Sequence, residues 1–208
     1  SSPGVRKRGI GVGTQGIWVS GCMGFPDIYE HTGAIIKLNR DGSADISSGT
    51  VDIGSGQIAT LCQIAAAELG VGMDKVRMVY ADTDTVPFDA PTHASRGTYS
   101  SGLAVKAAAA QVRKRVFEIA AGLMEANPDD LDISNGQVYV KGSPDSARAL
   151  TDIIHIAESP FIMDTEQGPR PSSPPEHKGT IIGSSSLAPP ENPSPATALF
   201  VEVEVDTE

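Results

Sequence analysis

Two short stretches of this 208-residue chain carry residue types suited to gripping an anionic group. The first is Asp52-Ile-Gly-Ser-Gly-Gln57, where a strand-like run leads into glycines and a helical pattern begins directly afterwards. Gly54 and Gly56 let the backbone approach a ligand closely, with Ser55 between them. A helix start adds unpaired N–H groups and the positive end of the helix dipole. A lone GxG pattern is more often a strand-to-helix turn whose glycines serve geometry alone. The second stretch, Pro91-Thr-His-Ala-Ser-Arg-Gly-Thr98, sets small residues, hydroxyls and one guanidinium just before a long helical pattern. Ser95, Thr98 and nearby backbone N–H groups can donate to phosphate or carbonyl oxygens, and Arg96 can neutralise charge or donate in pairs. The competing assignment makes Ser95 or Thr98 a helix cap and Arg96 the ion-pair partner of Asp82, Asp84 or Asp89. Each loop alone favours the structural assignment. Two loops of the same logic in one chain strengthen the binding one.

Other chemistries find less support. A Ser/His/Asp site can be drawn on paper from the four histidines, but no GxSxG elbow constrains it. His31, His93, His155 and His177 show no HExxH or other ligand spacing. Asp82 and Asp84 could be drawn as metal ligands, although neighbouring acids in a loop are more often solvated or turn-forming. No metal ligand and no catalytic residue is therefore assigned within the chain.

The elements that must position the two loops are legible in outline. Residues 9–24 interleave six glycines with Ile10, Val12 and Ile17-Trp-Val19, predicting extended Gly-rich strands. Runs at 33–38 and 43–47 flank Asn39-Arg-Asp-Gly42 and predict a β-hairpin. Apolar residues at spacings of three and four predict a helix over 57–69, capped by Gly70. A strand over 75–80, a polar loop over 82–96 and a helix from Thr98 or Ser101 to about Glu125 follow. A second hairpin flanks Ser134-Asn-Gly136, and residues 149–158 suit a short helix. The Pro/Ser/Gly-rich stretch 159–195 reads as a long surface excursion, with 179–183 a possible strand inside it. Phe200-Val-Glu-Val-Glu-Val-Asp206 alternates like a strand that lacks a following partner, as in a fragment or a split subunit. The predicted organisation is thus a core over 1–158, an excursion over 159–195, and a terminal strand over 196–208 returning to the core. The fold class is α+β, with β-hairpins and a mixed sheet packed against two main helices.

Composition sets outer limits. With 39% hydrophobic and 20% charged residues the chain can bury a sizeable core. A net charge of −10 argues against a nucleic-acid partner, and the clusters Arg6-Lys-Arg8 and Arg113-Lys-Arg115 read as solvated faces. Cys22 and Cys62 are far apart and form no CxxC, which supports neither a disulfide framework nor a cysteine-ligated zinc or iron–sulfur cluster and favours a reducing compartment, the cytoplasm. No apolar run reaches membrane-spanning length.

Taken together, Gly49-Thr-Val-Asp-Ile-Gly-Ser-Gly56, Gln63-Ile-Ala-Ala-Ala-Glu-Leu-Gly70, Asp82-Thr-Asp-Thr85, Thr92-His-Ala-Ser-Arg96 and Gly102-Leu-Ala-Val105 have a telling order and spacing. They resemble the second molybdopterin-binding region of the xanthine dehydrogenase and aldehyde oxidase family of molybdenum hydroxylases. The resemblance covers residues 8–115, and 198–206 is similar to the strand where that family's chain resumes after a variable stretch. It implies part of a larger subunit that grips molybdopterin, or a molybdopterin dinucleotide, with molybdenum between two halves of the chain. It implies a small-molecule substrate, an aldehyde or N-heterocycle, hydroxylated using water. Electrons would pass to iron–sulfur clusters and FAD on partner chains or domains. The implied cofactor contacts are Gly54, Ser55, Gly56, Gln57, His93, Ala94, Ser95, Arg96 and Thr98. Where this chain has Ser55 the family commonly carries glutamine, and Gln57 is offset from that position by two residues. The family's catalytic glutamate belongs to a later Gly-rich motif without a match before Glu208, so the isolated chain is expected to be inert. The remaining half of the subunit is an expected partner. Two other functions compete. One is a non-catalytic binding or assembly module that keeps the fold without cofactor, which Ser55 favours. The other is a generic phosphate-binding domain, which would bind ordinary nucleotides.

Overall fold

The computed structural model describes residues 5–15, 31–159, 161–164, 168–170, 178–191 and 196–207. Its main layer is a four-stranded mixed sheet in the order β10 (Ile182–Leu187), β2 (Thr32–Leu38), β3 (Ala44–Ser48) and β4 (Val76–Tyr80). After β1 (Arg6–Gln15), strands β2 (Thr32–Leu38) and β3 (Ala44–Ser48) form the expected antiparallel hairpin, Ile36 opposite Ile46. The strands alternate: Ala34, Ile36, Leu38, Ala44 and Ile46 are buried, while Ile35 and Lys37 face outward. One side of the sheet is thus given to the core.

Helix α1 (Gln57–Leu69) connects β3 to β4 (Val76–Tyr80), and those strands pair in parallel. A parallel pair needs such a crossover. Gly70 ends α1 at φ 63°, donating to Ala66 O, as the sequence predicts. A Cβ there would also stand 2.5 Å from the Ile133 carbonyl oxygen. Helix α2 (Gly102–Met124) packs on α1, β2 and β10 through Ala104, Val105, Ala108, Ala109, Val112 and Val116. The turn leading into it, Gly97–Ser101, is π-helical.

Strands β5 (Leu131–Ser134), β6 (Gln137–Val140) and β7 (Ser143–Ala149) form a separate antiparallel sheet. Its first turn places Asn135 and Gly136 at φ 50° and 70°, the two left-handed residues a type I′ hairpin demands. Helix α3 (Leu150–Glu158) follows, and Ile153 and Ile154 bury its apolar side. Strands β8 (Ile162–Asp164) and β9 (Gly168–Arg170) make a small hairpin.

Two sequence expectations change. Within 159–195 the strand is not 179–183 but β10 (Ile182–Leu187), which pairs antiparallel with β2 as an edge of the main sheet. Ile181, just before it, is buried and its carbonyl accepts from Leu38 N–H at 3.0 Å. The terminal strand β11 (Thr197–Asp206) has a partner after all: it pairs antiparallel with β1 along ten residues, Arg6 opposite Asp206. The ribbon is a sheet of its own, and β11 is exposed throughout, so this strand does not return to the core. Of the Gly-rich stretch 9–24, residues 9–15 are strand and 16–24 lie outside the described residues.

Candidate functional site

The glycine loop leaves β3 at Ser48, and residues 51–56 are all exposed. The Asp52 carboxylate accepts from Gly54 N–H at 2.8 Å, an Asx turn that redirects the chain. Gly54 and Gly56 have φ of +94° and +73°, yet a Cβ on either would point into open space. The left-handed backbone, not crowding, requires glycine there. Gly56 is the N-cap of α1 and supplies no side-chain cap, and the first helical bond runs from Thr60 N–H to Gly56 O. The N–H groups of that first turn are free of capping side chains and carry the positive end of the dipole.

The second loop is built with strain. Ala94 and Ser95 adopt φ of 47° and 58°, two consecutive left-handed residues with no glycine between them. Each costs about 1–3 kcal/mol, offset by the surrounding structure. Arg96, fully buried, lies beneath them. Its Nη1 donates to Asp89 Oδ1 at 3.1 Å and to Ala90 O at 2.5 Å, and its Nη2 donates to Thr32 Oγ1 at 2.6 Å. Asp89 also accepts from the Thr32 hydroxyl, and its Oδ2 lies 2.7 Å from Thr50 Oγ1. Thr50 Oγ1 is in turn 2.7 Å from Ser101 Oγ at the end of the π-helical turn. The polar cluster Thr32, Thr50, Asp89, Arg96 and Ser101 thus joins the sheet to the start of α2.

The two loops meet at Gln57 and Gly97. A Cβ on Gly97 would stand 1.2 Å from Gln57 Nε2, so the carboxamide occupies the volume a side chain would fill. Gln57 is 5% exposed, and its Oε1 is buried without a hydrogen-bond partner. Beside this junction a groove of about 420 Å³ runs between α1 and α2, lined by Ile64, Ser95, Thr98, Tyr99, Leu103 and Lys106.

Among the residues singled out from the sequence, Gln57 is drawn inward to the second loop, while Gly54, Ser55 and Gly56 remain exposed on their turn. Ser95 and Thr98 are exposed at the groove, and His93 and Ala94 are half-buried in the loop behind them. Arg96 departs from expectation as a direct ligand contact, because its guanidinium is turned inward onto Asp89, the third acid of the ion-pair alternative. Asp82 forms an exposed turn by accepting from Asp84 N–H at 3.1 Å. Thr32, Thr50 and Ser101 were not singled out. Thr32 and Thr50, near strand ends, give no sequence signal that they will face one carboxylate, nor does Ser101 that it will meet Thr50.

With this geometry in place, likeness to known proteins becomes informative. The model of the molybdopterin cofactor-binding domain matches residues 1–208. The chain belongs to this family. The xanthine dehydrogenase molybdenum-binding subunit of Escherichia coli O157:H7 is 27% identical over 205 residues, covering 96% of this chain and 25% of that protein. The 6-hydroxypseudooxynicotine dehydrogenase complex subunit gamma of Paenarthrobacter nicotinovorans is 31% identical over 156 residues, covering 75% of this chain and 18% of the relative. Quinoline 2-oxidoreductase from Pseudomonas putida 86 shares the fold, with a TM-score of 0.80 at 24% identity over 98% of this chain and 25% of that one. The chain therefore spans about a quarter or less of the length of these relatives.

The residues present fit the family's cofactor. Uncapped N–H groups at the start of α1 suit a phosphate, and the open backbone at Gly54 and Gly56 admits one closely. Ser95 and Thr98 add hydroxyl donors. Gln57 Oε1 is a buried acceptor without a hydrogen-bond partner at the junction of the two loops. Among the described residues no group of three or more His, Cys, Asp or Glu is placed to hold a metal ion. No helix among the described residues is long and apolar enough to cross a membrane.

Proposed function

We propose that this chain forms one half of the molybdopterin clamp in an oxidoreductase that hydroxylates an aldehyde or N-heterocycle with water. Electrons then leave to iron–sulfur clusters and FAD on partner chains, in the reducing cytoplasm. The observation that carries the reading is the Gln57–Gly97 junction, which joins an uncapped helix start to a strained hydroxyl-bearing loop in a chain of this family. When bound, molybdopterin supplies the redox-active molybdenum at which such chemistry occurs. The chain's own residues bind and orient. Backbone N–H groups at residues 55–58 and the hydroxyls of Ser95 and Thr98 hold the anionic tail, and Gln57 fixes the spacing between the two loops.

A second reading, a non-catalytic module that keeps the fold without cofactor, draws on Ser55, where the family commonly has glutamine. Molybdenum and pterin analysis of the intact native protein separates the two, since stoichiometric content is expected only for the first. Within that protein Gly56→Val should lower molybdenum content at least about tenfold while the far-ultraviolet dichroism stays native, because a β-branched residue resists φ of +73°. Unchanged molybdenum in that variant would remove the glycine loop from the site.

A further inference from the structure

We propose that Asp89 and Arg96 form a buried clasp that holds residues 93–98 in their ligand-ready conformation, making Asp89 a positioning residue. The inference rests on the reading of that loop as part of the cofactor site.

The clasp closes a ring of chain. Arg96, at the loop's exit, bonds Asp89 and the Ala90 carbonyl at its entrance, and reaches past them to Thr32 on the sheet. Asp89 is itself bolted down. The neighbouring Phe88 carbonyl accepts from Gly33 N–H at 2.9 Å, and Ala90 N–H donates to His31 O at 3.2 Å. The fit is close enough that a Cβ on Gly33 would stand 2.7 Å from Pro87 Cβ, and one on Gly49 would stand 2.8 Å from the Pro87 carbonyl oxygen. Residues 87–90 therefore move only with the sheet.

Between these fixed ends Ala94 and Ser95 are both left-handed without a glycine, a conformation that persists only where its surroundings over-determine it. The clasp is the device that does so. Its side chains, Asp89 3% and Arg96 0% exposed, are shielded from the groove that Ser95 and Thr98 line. A buried ion pair is a poor source of net stability against apolar residues of the same volume. It does fix direction, because the carboxylate and guanidinium tolerate few geometries that satisfy all their hydrogen bonds. The strain is thus directed to the segment that presents Ser95 and Thr98.

The test uses the intact native protein carrying Asp89→Asn, Arg96→Lys or Arg96→Met, with Thr50→Val as a milder variant that removes one contact to Asp89 together with the Thr50 hydroxyl's contacts to Ser101 and Ser48. Two quantities are read: amide hydrogen exchange along the chain, and molybdenum with pterin content. Exchange at residues 93–98 should quicken about tenfold or more in Asp89→Asn and Arg96→Met, while amides of β2, β3 and the middle of α2 keep their rates. Cofactor content should fall about fivefold or more with it. Arg96→Lys, which keeps the charge and one contact, should recover an intermediate value of both. A merely structural role would instead quicken the core amides in proportion and show no recovery by lysine. Unchanged exchange at 93–98 overturns the clasp, and so does full cofactor content with a loosened loop. If the larger variants do not fold, Thr50→Val decides on the same two readouts. A wild-type protein lacking molybdenum and pterin would refute the proposed function alone, because the exchange pattern still tests the clasp.

Discussion

A glycine can be required by its own backbone or by a neighbour's side chain, and Gly97 is of the second kind. The Gln57 carboxamide fills its side-chain volume, so Gly97→Ala must expel a buried amide into the loop. We expect a loss of about 1–3 kcal/mol in stability, as for other overpacked sites. In a Gln57→Ala background the same substitution should cost almost nothing. A denaturant double-mutant cycle reads this directly, and additive effects would show that the carboxamide does not hold the two loops together. The sequence makes Gln57 a candidate through its place at a helix start, but not through this contact. A pairing across 40 residues depends on how α1 and α2 pack. Arg96 shows the same limit: the sequence offers Asp82, Asp84 and Asp89 as ion-pair partners, and only the fold selects Asp89.

At the scale of elements, α1 and its Gly70 cap are read accurately because helix periodicity and a left-handed glycine are both local signals. Strand β10 is not. Its run Ile182-Gly-Ser-Ser-Ser-Leu187 lacks apolar alternation because α2 passes closely over Gly183 and Ser185. A Cβ on Gly183 would stand 2.1 Å from Ala108 O, and Ser185 Oγ donates to Ala104 O at 2.7 Å. Gly183→Ala is therefore expected to lower the melting temperature by several degrees, since a backbone carbonyl cannot turn aside as a side chain can. An unchanged melting curve would mean that β10 is not seated on α2. The parallel pair β3–β4 carries a pH signature. Arg77, opposite Asp45 in the register, holds the Asp45 carboxyl below its ordinary range chiefly by hydrogen bonding. A carboxyl depressed in the folded state adds stability above its unfolded value of 3.8, and this is lost as pH falls through the folded value. Asp45→Asn should destabilise at pH 7 and have little effect at the acid end. Parallel acid-unfolding curves for the two proteins would count against the pair.

The whole molecule is a packed α+β body with a ribbon of different character. The β1–β11 pairing sets Leu199, Val201, Val203 and Val205 in a row opposite Gly13, Gly11, Gly9 and Lys7, and this aliphatic row is exposed. On the function proposed above, the isolated chain is expected to self-associate or to bind a complementary part of a larger subunit through this row, and not to turn over aldehydes or N-heterocycles even when given cofactor. Light scattering that finds a monodisperse monomer at high concentration, with no affinity for the complementary fragment, would show a self-sufficient domain instead. The alternation of residues 200–206 marks the strand, but no local pattern names β1 as its partner. That separation also has a consequence in time. Arg6 leaves the ribosome about 10–40 s before Asp206 at ordinary rates of synthesis, so β1 must wait while the sheet and both long helices form. Its glycines, poor at holding any structure alone, keep it from settling into a competing pairing meanwhile. Pulsed hydrogen exchange during refolding should find the amides of residues 6–15 protected after those of β2 and β3. Strand β11 would then capture β1 only after the main sheet has formed.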